Sequence, residues 1–246
     1  MEHHTVITHR LELALRLLDT ASGQTVSGQT VEVLGDGKPL RGGEKPDGTL
    51  VFQNLGLTKF TLTLRSPDYE PMTHPVDLAQ LDPSLPLLEL HLIPGPHDRA
   101  APLHTLAGVL PGITELSAVR EGDNACLIRA FDARKRRMTI CNPHHLELER
   151  THYALVDPDA GIYEPFRILS HPDPQTLNLD RALETVFRNY FPICPLVFGR
   201  TDPSGDYCLR VRDDIQAARW LVRYTANGEA RFRFVDFRAE GQMVLT

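Results

Sequence analysis

Leucine at every second position opens the chain: Leu11, Leu13, Leu15 and Leu17 alternate with Glu12, Ala14 and Arg16. That period-two pattern sends one face of an extended segment into a core and the other toward water. Val31 with Val33, Val51 after Leu50, and Phe60, Leu62 and Leu64 repeat it. Between these runs lie Ala21-Ser22-Gly23, Gly35-Asp36-Gly37, Gly42-Gly43 and Asp47-Gly48. Such residues accept positive φ or tie a side chain to the backbone, so each predicts a tight reversal. Residues 87–93 predict a closing strand, with Leu88, Leu90 and Leu92 on one face and Glu89 and His91 on the other. Residues 77–81 predict a single helical turn ended before Pro83. Short strands about ten residues apart predict a β-sandwich.

The run Pro94-Gly95-Pro96-His97-Asp98-Arg99-Ala100-Ala101-Pro102 interrupts this periodicity, because closely spaced prolines support neither a ladder nor a helix. It sets expected domains at 1–94 and 105–246, joined by a linker at 95–104. The second domain also reads as mostly β, with strands expected at 115–120, 125–131, 138–141, 145–149, 152–156, 164–169, 207–212, 220–224 and 230–237. The last two flank Asn227-Gly228, the favoured pair for a type I′ hairpin turn. Leu179, Ala182, Leu183, Val186, Phe187 and Tyr190 recur at helical spacing and predict one short helix ending before Pro192. The expected fold class is mainly β.

One stretch carries a family resemblance. Asp47-Gly48-Thr49-Leu50-Val51-Phe52-Gln53-Asn54-Leu55, then Phe60-Thr61-Leu62-Thr63-Leu64 and Ser66-Pro67-Asp68-Tyr69-Glu70, resembles the carboxypeptidase regulatory-like family, as does Gly28-Gln29-Thr30-Val31-Glu32-Val33 upstream. The resemblance spans roughly residues 10–93. It implies an N-terminal transthyretin-like, immunoglobulin-like β-sandwich, with Phe52 and Leu55 in the core and Tyr69 closing one end. Domains of that family are non-catalytic attachments that support folding, adhesion or assembly, so the resemblance supplies no active-site residues. The chain departs from the family pattern at Leu57-Thr58-Lys59-Phe60 and at Asp68.

Length and composition narrow the classes. The 246 residues suit two domains of ordinary size. A hydrophobic fraction of 41%, a charged fraction of 24% and a mean hydropathy of -0.23 describe a globular chain. No run approaches the roughly 18 to 20 apolar residues that a membrane span needs. The net charge of -6 gives no overall pull toward nucleic acid. All of it sits on residues 1–98, with 7 basic and 13 acidic side chains, whereas residues 99–246 carry 19 of each. The first residues lack the features of a secretory signal, so cytoplasmic synthesis is expected, with a final site inside a larger assembly left open. Cys126, Cys141, Cys194 and Cys208 contain no C-x-x-C pair and are read as thiols, mostly buried; counting alone leaves two disulfides open.

Candidate chemistry is sparse. Cys141, His144, His145 and His152 offer the thiolate and imidazole that zinc prefers, and a hairpin would bring Cys141 toward His152. Adjacent His144 and His145 point to opposite faces of an extended chain, so the same residues also read as a histidine-rich surface turn. Asp157-Pro158-Asp159 and Asp213-Asp214 read as turns. No catalytic residue and no cofactor other than zinc is indicated, and neither a G-x-S-x-G elbow nor a phosphate loop is present. Arg134-Lys135-Arg136-Arg137 is expected at a hairpin tip, where its cations would meet an acidic protein face, phosphates or solvent. Arg231 and Arg233 share a strand face, an arrangement that also guards a sheet edge. The expectation is a non-enzymatic protein-binding or assembly module, with a protein partner or self-association and as a subunit of a phage-tail-like or secretion-associated particle. The alternative is a metal-dependent or hydrolytic enzyme with its site in the second domain.

Overall fold

In a computed structural model, which describes residues 11–95, 103–142, 148, 152–184, 190–212, 219–237 and 245, the chain is mainly β: 60% of the described residues are strand and 3% helix. It divides into two compact units, residues 1–19 with 25–98 and residues 20–24 with 99–246.

The first unit holds β1 (Leu11–Asp19), β2 (Glu32–Gly35), β3 (Lys38–Pro39), β4 (Gly43–Glu44), β5 (Leu50–Gln53), β6 (Lys59–Arg65), β7 (Met72–Asp77) and β8 (Leu87–Leu92). They form two four-stranded sheets, ordered β4-β5-β1-β8 and β3-β2-β6-β7, in which β1 runs antiparallel to β5 and parallel to β8. Leu13, Leu15, Leu17, Phe52 and Leu90 from one sheet meet Val33, Phe60, Leu62, Leu64 and Val76 from the other in a single core. The alternating leucines of β1 are therefore the inward face of a sandwich. Asp47 turns the chain into β5 by accepting a hydrogen bond from the Thr49 N–H at 3.0 Å, while Gly48 takes a φ of 77° that a Cβ would oppose. The short turn expected near residue 78 is a 3-10 turn, Leu78–Gln80, capped by Asp77, whose carboxylate accepts from the Ala79 N–H at 3.1 Å. Tyr69 bridges to Pro94, and its hydroxyl donates to the buried Asp19 at 3.0 Å.

The second unit holds β9 (Leu103–Val109), β10 (Ile113–Arg120), β11 (Cys126–Asp132), β12 (Arg137–Cys141), β13 (His152–Asp157), β14 (Ile162–Asp173), β15 (Thr176–Leu179), β16 (Pro192–Pro195), β17 (Val197–Phe198), β18 (Arg200–Thr201), β19 (Asp206–Arg212), β20 (Arg219–Ala226) and β21 (Glu229–Asp236). Six strands close a barrel, β11-β12-β15-β14-β13-β16, around Met138, Ile140, Phe166, Leu177 and Ile193. A four-stranded sheet, β17-β10-β20-β21, and a three-stranded sheet, β18-β19-β9, enclose a second core with Leu116, Ala118, Leu209, Trp220 and Val222. Asn227 (φ 52°) and Gly228 (φ 81°) make the expected type I′ turn between β20 and β21.

One expectation does not survive where the structure describes it. Leu179 belongs to β15 rather than to a helix, and residues 180–184 have no regular structure. Leu179 and Leu183 both enter the barrel core, and Asp180 keeps a ladder-like exchange with Arg167, which donates to its carboxylate at 3.0 Å and accepts from its N–H at 3.0 Å. Spacing of four thus reflects two plugs in one core instead of one helical face. Residues 185–189 and nearly all of the strand expected at 145–149 lie outside the described residues. The strand Pro192–Pro195 was not expected, because proline at both ends argues against a ladder.

Candidate binding cleft

The sequence Leu116-Ser117-Ala118-Val119 in β10 and the run Trp220-Leu221-Val222 in β20 are buried at every position. A sheet covered on both faces gives such unbroken runs. Leu116, Ala118, Trp220 and Val222 face the three-stranded sheet, whereas Val119 and Leu221 face the barrel strands together with Ala154, Val156, Tyr163 and Cys194. Ser117 also faces the barrel, its hydroxyl 2.8 Å from that of Tyr163. Burial pushes the Tyr163 phenol up, so both hydroxyls are neutral.

Near one end of this contact the barrel and sheet part into a cleft of about 320 Å³. Its sheet side is a row in register across three strands, Val119 opposite Leu221 and Leu221 opposite Phe234. Its barrel side is made by Leu127, Val156, Pro192 and Cys194. Leu127 alternates with the core residues Cys126 and Ile128, and Cys194 follows the core residue Ile193, so the same strands fill the barrel and line the cleft. Polar groups stand at the rim: Arg120 pairs with Asp123 at 3.2 Å, and the Arg219 guanidinium lies 3.9 Å from the centre of the Phe234 ring.

Tyr190 completes the lining and is 64% exposed. Its φ of 71° is a left-handed conformation that costs a bulky L-residue about 1 to 3 kcal/mol, and its N–H donates to the Ile128 carbonyl at 2.6 Å. The Cys194 thiol donates to Asn124 Oδ1 at 3.5 Å. Burial first, then the nearby Asp123 and Cys126, pushes that thiol up to about 12, and burial likewise pushes Cys126 up to about 12. Both remain protonated at neutral pH, the opposite of an activated nucleophile.

Of the residues expected to bind metal, Cys141 and His152 are described, and their strands are not neighbours in the barrel. Cys141 ends β12 and His152 begins β13, and these strands are three places apart whichever way the six-stranded barrel is followed. The hairpin expected to bring them together is thus replaced by barrel closure through β15 and β14 on one side and β11 and β16 on the other. His152 lies edge-on to Phe198, with ring centres 5.1 Å apart. His144 and His145 lie outside the described residues. All four cysteines are free thiols, with Cys126 and Cys194 buried and Cys141 and Cys208 half-buried.

Arg134, Lys135, Arg136 and Arg137 stand at the β11–β12 hairpin as expected, and all four are exposed. They do not form a uniform cationic tip. Arg136 donates to the Asp180 carbonyl at 3.0 Å, Arg137 donates to Asn178 Oδ1 at 3.4 Å, and Lys135 lies 3.9 Å from the Asp132 carboxylate. Asp157 is a turn residue as expected, accepting from the Asp159 and Ala160 N–H groups at 3.1 and 3.0 Å. Asp213 and Asp214 fall outside the described residues.

Alternation-based reading missed the cleft. The signals that carry it are the unbroken apolar runs of β10 and β20, which mark a sheet covered on both faces, and Pro192, which ends the stretch holding Tyr190. Among known proteins, no family model matches the chain and no curated protein matches it. Among solved structures it aligns with extracellular domains 3–5 of Drosophila OTK at 10% identity, covering 92% of this chain and 96% of that one, with a TM-score of 0.13, a value too low to establish a common fold.

Proposed function

We propose that this chain is a non-enzymatic binding or assembly module whose second unit grips a protein partner at the barrel–sheet cleft. The first unit fits the role of a non-catalytic transthyretin-like sandwich of the carboxypeptidase regulatory-like kind, on the strength of its Asp47-Gly48 turn and of Tyr69 bonded to Asp19. The observation that carries the reading is Tyr190, held at φ 71° and largely exposed beside an apolar cleft. An aromatic ring kept in a costly backbone conformation beside an apolar cleft is the arrangement expected of a contact residue. The protonated thiol of Cys194 favours binding over covalent chemistry in the same place.

The full chain, purified natively at physiological salt and sized by light scattering, should run as an oligomer or with a stoichiometric protein partner. Tyr190→Gly should weaken that association at least tenfold. A clean monomer, or a complex indifferent to Tyr190→Gly and Leu127→Ala, rejects the proposal.

A further inference from the structure

β9 stands at the end of its three-stranded sheet and, among the described residues, pairs with β19 alone. Every other sheet end among the described residues carries a device that discourages further pairing. β3, β4, β17 and β18 are two residues long, β7 contains Pro75, and β8 and β21 carry charged side chains. β9 has none of these: it runs for seven residues, Leu103–Val109, without proline, Asp, Glu, Lys or Arg. Thr105, Ala107 and Val109 are exposed along it, Val109 by 59%. One bond fixes the direction of its backbone groups. The Leu110 N–H donates to the Gly205 carbonyl at 2.8 Å, continuing the register in which Val109 faces Asp206. Groups facing the partner strand alternate along an antiparallel ladder. His104, Leu106 and Gly108 therefore turn theirs toward β19, and Leu103, Thr105, Ala107 and Val109 turn theirs away. Those outward groups have no hydrogen-bond partner among the described residues.

We infer that β9 is a self-docking edge, at which a second copy of this chain pairs its own β9 antiparallel to the first, about a two-fold axis at Leu106. The strand's pattern argues for that occupant. Centred on Leu106, the pairing sets Thr105 opposite Ala107 and Leu103 opposite Val109 of the other copy, and all four are positions whose backbone groups point outward. Each such pair exchanges two ladder bonds, so every outward group of β9 finds a partner. No like charges meet, because β9 holds no charged side chain. Moving the centre to Thr105 or to Ala107 leaves Val109 or Leu103 without a partner in the facing strand. The product also closes. Two copies of β18-β19-β9 make one sheet of six strands that ends on both sides in the two-residue β18, so pairing stops at two copies. The three-stranded sheet packs on the face of β10 and β20 away from the cleft, so a second copy at β9 and a partner in the cleft occupy different surfaces. Docking at β9 is thus separate from the binding reading above.

The test follows the full chain by sedimentation over a range of concentrations, with amide hydrogen exchange on β9. Wild type should dimerise reversibly, and the Thr105, Ala107 and Val109 amides should exchange slowly in the dimer and rapidly on dilution to monomer. Ala107→Pro removes an outward N–H and leaves the bonds to β19 in place, so it should weaken the dimer at least tenfold. T105E/A107E sets Glu against Glu at both symmetric positions and should weaken it likewise, whereas T105E/A107K sets Glu against Lys and should restore it. That rescue reads the register directly, and a variant that failed to fold would not produce it. A wild-type chain that stays monomeric throughout overturns the inference. So does a dimer that Ala107→Pro leaves intact, or one that T105E/A107K fails to restore. β9 amides already protected in the monomer would mean that the chain itself covers this edge, and amides slowed only in a complex with a different protein would give the edge to that protein; either overturns self-docking. A dimer disrupted by Tyr190→Gly but not by Ala107→Pro puts the second copy in the cleft, so that β9 docking falls and the binding reading stands. The opposite pattern supports β9 docking and counts against the cleft as the grip on that copy.

Discussion

Tyr190 places function and stability in opposition at a single residue. Glycine reaches a φ of 71° without a Cβ penalty, although it also loosens the unfolded chain by about 0.5 to 1 kcal/mol. Because the side chain is 64% exposed, removing the ring loses little buried area. Tyr190→Gly is therefore expected to leave stability unchanged or raise it by about 1 kcal/mol while impairing association. Urea unfolding checks the first half and sizing checks the second. A loss of more than about 1 kcal/mol would place Tyr190 in the structural framework and remove the reason for calling it a contact residue.

At the scale of elements, the turns and alternating strands were the most legible parts of the sequence. Asp47-Gly48 and Asn227-Gly228 each name a backbone geometry that few other residue pairs adopt, and both form it. Leu13, Leu15 and Leu17 face one core because only one face of β1 is buried in it. Legibility fails where a strand is covered on both faces or bounded by proline. Val119 and Leu221 gave no sign of which neighbour they would meet, and Pro192–Pro195 concealed a barrel strand that also carries Cys194 into the cleft. The hairpin expected between Cys141 and His152 does not form, since sequence proximity favours hairpins and a closed barrel separates β12 from β13. The basic hairpin tip illustrates the intermediate case, correctly placed but engaged with β15 through Arg137 and with Asp180, just beyond that strand, through Arg136. Replacing Arg134, Lys135, Arg136 and Arg137 together by alanine should accordingly cost about 1 kcal/mol or less in urea unfolding, the scale of exposed hydrogen bonds and ion pairs. The same variant should leave the salt dependence of partner binding unchanged. A flattened salt slope would move the partner surface from the cleft to this hairpin.

Across the second unit, burial of thiols in two separate layers makes stability depend on alkaline pH. Cys126 lies in the barrel core and Cys194 lies between barrel and sheet, yet both are pushed from the usual thiol value of 9.0 up to about 12, with burial the largest cause. A raised folded-state value means that the native unit retains protons that the unfolded chain gives up. The associated stability is fully present below pH 9 and declines as pH rises from 9 toward 12. At pH 10 an unfolded thiol titrating near 9 favours unfolding by about 1.4 kcal/mol, so the two together contribute roughly 3 kcal/mol to the loss between pH 8 and pH 10. Other groups ionise in that range, and the comparison that isolates the thiols is wild type against Cys126→Ala/Cys194→Ala. The double variant starts from lower stability at pH 8, through two small cavities, but should lose about 3 kcal/mol less on going to pH 10. Parallel urea curves for the two proteins at both pH values would mean that the thiols ionise in the folded state. In that event Cys194 would be available as a nucleophile beside Asn124, and an enzymatic role for the cleft would regain the chemical group it lacks.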